Sequence, residues 1–324
     1  MLYLTREDMQ RVMSMEEAIG ALESAFRLYS SGQAAVPLRT MVDVPRHNGQ
    51  AIFMPALAGD ALGIKIVSTY PDNPKAGKPV TPACMVMLDE KTGEVSCLMD
   101  GTYLTQLRTA AGAGAAMRAL AAKGAAVGAL IGLGGQSACQ FEALRVAVPT
   151  LREIRVFDID PQRRTAFAAE RDGVNGLRVL PAASGDEAVE GADVVTTVTT
   201  SRKPVFSFAS VKKGCHINAI GSYTPEMQEL PPELVAGCDL IVLDTADGVL
   251  HESGDLLKPL AQGLLEGKKI DTELGHVLLG EAVGRTSPEQ ITLYKSTGSG
   301  VMDAVCASAI MQRAQQAGVG VRIG

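Results

Sequence analysis

The sequence predicts an α/β protein with two parts: a Rossmann-type, doubly wound parallel sheet and a smaller α+β domain. Two observations predict the sheet. After about residue 102, short apolar runs alternate with helical segments, the pattern of parallel strands covered by helices on both faces. Within that alternation, "GALIGLGGQSACQ" (128–140) places glycines between a predicted strand and a predicted helix. Composition sets the outer bounds. Of the 324 residues, 46% are hydrophobic and 20% charged, as in ordinary globular proteins. The net charge of −6 and the lack of a long basic run exclude the footprint of a nucleic-acid binder.

Taken in order, "SMEEAIGALESAFRLYSSG" reads as a helix, with Ser14 and Glu17 spaced as a capping box and Gly32 closing the run. Strand-like pieces follow: "RTMVDV", "AIFMPAL", "GIKIVSTY" and "CMVMLDEKTGEVSCLMD", the last a hairpin turning at "EKTG". "TYLTQLRTAAGAGAAMRALAAKG" reads as a long helix despite its glycines. Six strands are expected at 125–131, 153–158, 177–180, 192–198, 215–220 and 239–244, and a seventh at "ITLYKS". A final helix, "VMDAVCASAIMQRAQQ", is expected to pack back on the first domain. The expected division is therefore 1–118 with 301–324, and 119–300.

The apolar stretch 109–135 is interrupted by Arg118 and Lys123, so no membrane span is expected, and "MLYLTREDMQ" lacks the apolar core of a signal peptide. Six scattered cysteines without a C-x-x-C pair read as reduced thiols of a cytoplasmic protein. His47, His216, His251 and His276 share no metal-ligand spacing, so no metal is expected.

The glycine loop has the spacing G-x-G-x-x-S. Gly132 permits the tight turn, Gly134 lets backbone N–H groups approach a pyrophosphate, and Ser137 is small enough for close helix–strand packing. The N-terminus of the following helix adds partial positive charge. Such turns also occur without a ligand. Asp158 ends the next strand, 21 residues after Ser137, where a carboxylate can accept hydrogen bonds from ribose hydroxyls or else cap the helix at "PQRR". No arginine adjoins it in sequence, Arg163 and Arg164 being five and six residues on, so NAD(H) is favoured over NADP(H). Thr197, Thr199 and Thr200 end the fourth strand, where this fold meets ribose and nicotinamide.

The stretches "VPLRT", "FMPAL", "GIKIVSTYPDNP", "LMDGTYLTQLRTAA", "GLGGQSACQ", "ADVVTTVTTSRKPVF", "HINAIGSYTPEMQEL" and "ESGDLL" together span nearly the whole chain. In these the sequence resembles the ornithine cyclodeaminase/mu-crystallin family. The resemblance implies a homodimer, an amino-terminal α+β substrate-binding and dimerisation domain, a Rossmann domain, and chemistry at a carbon that bears an amino or imino group beside a carboxylate. Family members include cyclodeaminases, an alanine dehydrogenase and reductases of cyclic ketimines. The cofactor residues expected are Gly132, Gly134, Gly135, Gln136, Ser137, Asp158, Thr197, Thr199, Ile220, Gly221 and Gly298.

Arg39, Lys65 and Arg108 fall at the family positions that hold the substrate carboxylate. Guanidinium groups bind carboxylates bidentately, and a lysine in the apolar strand "GIKIVS" needs an anion if buried. Thr81 stands where many relatives carry histidine, and is either a substrate contact or an ordinary strand threonine. Tyr223 replaces the aspartate that engages the substrate ammonium in cyclodeaminases. A neutral phenol cannot take that role, which argues against ornithine cyclisation. The expected activity is reduction of a cyclic imino acid, Δ1-pyrroline-2-carboxylate to L-proline or its six-membered homologue to L-pipecolate. Lys65, Arg108 and Tyr223 are the catalytic candidates. The alternatives are ornithine cyclodeaminase, an open-chain amino-acid dehydrogenase and a non-enzymatic cofactor binder. Asp255 in "ESGDLL" has no role derivable from the residues alone.

Overall fold

The computed structural model describes residues 1–324. Its strands are β1 (Leu2–Leu4), β2 (Ala34–Ala35), β3 (Thr40–Val44), β4 (Gly49–Ala58), β5 (Ala61–Thr69), β6 (Ala83–Leu88), β7 (Val95–Asp100), β8 (Val127–Ile131), β9 (Glu153–Phe157), β10 (Arg178–Pro181), β11 (Val194–Thr197), β12 (His216–Ala219), β13 (Leu240–Leu243), β14 (Thr292–Lys295) and β15 (Val321–Arg322). Its helices are α1 (Arg6–Val12), α2 (Met15–Ser30), α3 (Gly101–Leu120), α4 (Ser137–Ala147), α5 (Pro161–Arg171), α6 (Gly185–Val189), α7 (Pro232–Gly237), α8 (Ala246–Glu252), α9 (Gly254–Ala261), α10 (Leu274–Leu279) and α11 (Gly300–Ala317).

The chain divides into two compact units, Met1–Gly112 with Ser299–Gly324, and Ala113–Gly298. The first division falls inside α3, six residues before the expected position near 118. No change of composition marks it, because α3 is a continuous Ala/Gly-rich helix buried on both sides of that point.

In the first unit the strand order is β15-β1-β7-β6-β5-β4-β2, with β3 also paired to β4. The expected hairpin is β6–β7, in register from Cys84↔Asp100 to Leu88↔Val95. On one face of β4, β5 and β6 lie Ile52, Met54, Val67, Met85 and Met87, all buried beneath α2 and α11. The alternate positions form an apolar second face, with Phe53 and Pro55 half-buried and Ile66 exposed at 38%. Alternation of strand side chains makes this division automatic. Ser14 and Glu17 form the expected capping box of α2. Thr5 and Asp8 form a second one on α1, in a segment the sequence reading left unassigned.

In the second unit seven parallel strands run β10-β9-β8-β11-β12-β14-β13. The order reverses between β8 and β11, the topological switch at which open α/β sheets bind ligands. Every expected strand is present, although β14 inserts between β12 and β13. The sheet interior is apolar, with Ile131, Val195, Ile217, Leu243 and Leu293 in one cluster. One polar ladder crosses it. His216 Nδ1 lies 2.8 Å from Thr292 Oγ1 and Nε2 lies 3.1 Å from Asn218 Oδ1, and Asn218 Nδ2 donates to Thr196.

Burial pushes the His216 imidazole down to about 3. The unfolded chain therefore takes up a proton near the ordinary value of 6.5 that the folded chain refuses until about 3. Between these limits the unfolded state binds more protons, so stability falls as pH falls. Thermal melts across this window are expected to show a shallower acid dependence for His216→Gln than for the parent chain.

Candidate functional site

The glycine loop leaves β8 and enters α4. Gly132 has φ +97°, and a Cβ there would lie 2.7 Å from the Val198 carbonyl oxygen, so only glycine fits between the exits of β8 and β11. Gly134 has open space where its side chain would be, and Gly134 and Gly135 are both exposed. Ser137 opens α4, and its hydroxyl donates to Gly134 O at 2.7 Å. Gln136 is the helix N-cap residue, without a side-chain capping bond. The glycine loop borders a cavity of about 460 Å³ at the start of this eleven-residue helix. Gly132, Gly134, Asp158, Ile159, Arg163 and Thr199 are among its lining residues.

Asp158 is not the cap of α5; that is Asp160, which accepts from Gln162 N and Arg163 N. Asp158 instead ties the loop to β9, accepting from Leu133 N and Asp160 N at 2.9 Å each. Here the structure corrects the sequence reading that no arginine stands beside it. One turn of α5 brings Arg163 Nη1 within 3.3 Å of both Asp158 oxygens, and Arg164 donates to the Asp158 carbonyl. Sequence distance hid this contact because Asp158 lies at a strand end facing the first turn of the following helix.

The C-terminal ends of β11, β12 and β14 are joined by buried polar groups. Thr197 Oγ1, Thr199 N and Gly221 N all donate to the Glu229 carboxylate, at 2.9, 2.6 and 2.7 Å. Asp255 accepts from Glu229 N and Leu230 N and pairs with Lys295 at 3.3 Å. Lys295 also donates to Ala219 O. This gives Asp255 the role the sequence could not: it anchors the segment carrying Glu229. Gly298 N donates to Asp244, which fixes the turn after β14, and the buried Thr297 hydroxyl beside it has no partner within the protein. Ile220 is buried and Tyr223 half-buried in the loop after β12.

The first unit holds the cation cluster. Lys65 lies on the covered face of β5 and is 1% exposed; Arg108, on α3, is 5% exposed. Both meet one carboxylate, Asp303 on α11. Lys65 Nζ is 2.7 Å from Asp303 Oδ2, and Arg108 Nε is 2.8 Å from Asp303 Oδ1. Arg39, half-buried just before β3, is close enough for its charge to act on Lys65. Burial is the main cause that brings Lys65 down to about 7; Arg108 adds to it and Asp303 opposes it. Two buried cations thus share one anion, which leaves positive charge for an anionic ligand to neutralise. Asp303 escaped the sequence reading. Its signal was the same as that of Lys65: a lone charge in an otherwise apolar stretch, "GVMDAVCASAI". Thr81, by contrast, is not a strand threonine but lies exposed in the bend before β6, because the strand begins only after Pro82.

A doubly wound sheet with a glycine loop at its switch point defines a dinucleotide-binding scaffold, and the same chain holds a buried cluster of two cations on one carboxylate. Comparison with known proteins specifies the class. The model of the ornithine cyclodeaminase/mu-crystallin family matches residues 1–318, and the chain belongs to that family. It is 35% identical to the Delta(1)-pyrroline-2-carboxylate reductase of Bacillus cereus, over 100% of this chain and 99% of that protein. It is similar to the structure of Thermococcus litoralis Delta(1)-pyrroline-2-carboxylate reductase in complex with NADH and L-proline, with TM-score 0.95, 37% identity and 100% of both chains covered. It is similar also to an archaeal alanine dehydrogenase dimer with bound NAD, with TM-score 0.93, 34% identity and 100% and 98% covered.

Two outcomes follow from the geometry. Gly132→Ala is expected to weaken nucleotide binding at least about tenfold, because its Cβ meets backbone and its φ is unfavourable to any other residue; titration of NADH fluorescence measures this. Affinity for a small planar carboxylate such as pyrrole-2-carboxylate is expected to fall as pH rises through about 7, where the Lys65 ammonium of the free protein loses its proton. In Lys65→Met binding should be weaker and this pH dependence absent, by calorimetry.

Proposed function

We propose that the chain is an NADH-dependent reductase of cyclic imino acids, converting Δ1-pyrroline-2-carboxylate to L-proline and accepting the six-membered homologue. The observation that carries this reading is the pair of buried cations, Lys65 and Arg108, sharing the single carboxylate of Asp303. A monoanionic carboxylate matches that excess charge. Tyr223 supports the choice of an imine over an open-chain diamine, since a phenol offers no charge to an ammonium group. The relatives from Bacillus cereus and Thermococcus litoralis carry the name of this activity, and the similarity runs the length of the chain.

When bound, a reduced nicotinamide supplies the hydride that the imine carbon takes up. The chain's own residues do the rest. Arg39 and Arg108 orient the carboxylate through guanidinium N–H groups, and holding a reactant in near-attack geometry is worth about 7–11 kcal/mol. The Lys65 ammonium, held by Asp303, attracts the same carboxylate. With its pKa brought down to about 7, it is also matched to give a proton to the imine nitrogen near neutral pH. Thr81 is too exposed for this task. Gly132, Gly134, Gly135, Gln136 and Ser137 hold the pyrophosphate, and Asp158 holds the adenosine ribose. Thr197, Thr199, Ile220, Gly221 and Gly298 surround the nicotinamide end. Asp158 favours NADH by repelling a 2′-phosphate, and its pairing with Arg163 is what would allow NADPH as a poorer substitute. Six unpaired cysteines fit the reducing cytoplasm.

The apolar second face of the first unit's sheet supports a homodimer. Pro55, Ile64 and Val86 form a cross-strand row on this face, with Leu57 and Ile66 on the same face to either side, an apolar surface that water would otherwise cover.

Consumption of NADH with Δ1-pyrroline-2-carboxylate, giving L-proline, tests the activity. Pyruvate with ammonia is the control for alanine dehydrogenase chemistry, and ornithine without added reductant the control for cyclodeamination. Arg108→Ala is expected to lower kcat/KM about a hundredfold, equivalent to a lost charge-assisted pair. No turnover by the folded protein would sink the reading. Light scattering of Ile66→Asp is expected to show a monomer where the parent chain is a dimer.

A further inference from the structure

The polar cluster under the ends of β11, β12 and β14 does more than hold loops together. Glu229 is fully buried and receives three donors, two backbone N–H groups and one hydroxyl. No acceptor faces either oxygen, so the hydrogen-bond pattern fits the carboxylate and not the neutral acid. Burial and the neighbouring Asp255 carboxylate push Glu229 up, while Lys295 and the donors from Thr199 and Thr197 pull the other way. Asp255 and Lys295 are each 0% exposed, and Lys295 is the one cation paired with this cluster. Two carboxylates face one ammonium. The packing is also tight: a Cβ on Gly221 would lie 2.0 Å from Thr199 O and 2.6 Å from Glu229 Oε1, so the loops leaving β11 and β12 meet across this carboxylate.

We propose that Glu229 is a positioning residue for the nicotinamide end of the site, and that its cluster with Asp255 and Lys295 supplies a net negative charge that favours the oxidised, cationic nicotinamide over the neutral reduced form. This rests on the dinucleotide reading above. In the reaction NADH + imine + H⁺ → NAD⁺ + amine, the hydride leaves a neutral ring and a positive ring remains. A fixed negative charge under the strand ends that would face such a ring would stabilise its oxidised form and make the bound cofactor a stronger reductant. The charge is already in place and hydrogen-bonded, so it needs no reorganisation as the ring becomes positive.

The test is the ratio of dissociation constants for NAD⁺ and NADH, measured by calorimetry on the full chain. A purely structural role would weaken both forms alike. In Glu229→Gln the constant for NAD⁺ is expected to rise about tenfold more than that for NADH, the effect of one unit charge at nicotinamide distance. Asp255→Asn keeps an oxygen for the Glu229 and Leu230 N–H groups and is expected to move the ratio in the same direction. Equal weakening of both nucleotides in these variants would overturn the charge proposal while leaving the cofactor reading intact. Should both variants fail to fold, the parent chain still decides. NADH binding more than about tenfold tighter than NAD⁺ would contradict a site biased toward the cation. Failure of the parent chain to bind either nucleotide would remove both readings together.

Discussion

The charge relation among Lys65, Arg108 and Asp303 is the constraint on which the first unit depends. An ammonium and a guanidinium are each nearly removed from water, and the cost of burying them is several kcal/mol apiece unless an anion is close. Asp303 meets both at hydrogen-bonding distance but can cancel only one positive charge. The cluster therefore carries positive charge that one carboxylate does not cancel. The tuning of Lys65 comes from its burial and from Arg108 and Asp303 beside it. The arrangement also explains why the positions need not tolerate exchange: an Arg108 guanidinium turned by Asp303 still has N–H groups to offer, whereas a lysine there would spend its charge at a single point.

The second unit solves a different problem with similar means. Parallel strands end in a row of carbonyl and N–H groups that must be satisfied or left for a ligand. At β8 the loop is bonded back to β9, Gly132 N to Phe157 O and Leu133 N to Asp158, while Gly134 has open space where a side chain would be. At β11 and β12 they are taken up by Glu229, whose own segment is pinned by Asp255. The glycine loop is thus exposed backbone beyond the sheet, and the ends of β11 and β12 are backbone locked from below. Asp158 joins the first kind to the sheet by accepting from Leu133 N.

Much of this was legible in the residues. Alternating apolar runs located every strand of the parallel sheet to within about two residues, and the capping box at Ser14 marked the start of α2. Lys65 announced itself because a charge in "GIKIVS" conflicts with a buried strand. Contacts between residues far apart in the chain were not legible. Asp303 lies 238 residues after Lys65, and nothing in either segment names the other. Arg163 is only five residues from Asp158 yet faces it through the turn from strand to helix, which spacing alone does not reveal. The β1, β2 and β15 strands are two or three residues long, too short for any periodicity to show. The division inside α3 was invisible because a helix that serves two units keeps one composition throughout.

The placement of α11 has a bearing on how the chain is made. The helix begins at Gly300, and until it has left the ribosome the first unit lacks the element that covers β4 and β5 and also lacks the counter-ion for Lys65 and Arg108. The second unit, continuous from Ala113 to Gly298, has no such wait. Synthesis from the amino terminus therefore completes the middle of the protein before its beginning. For the time it takes to add nearly two hundred residues, the nascent amino-terminal sheet stays uncovered on the face meant for α11. Removal of the last 26 residues would make that transient state permanent.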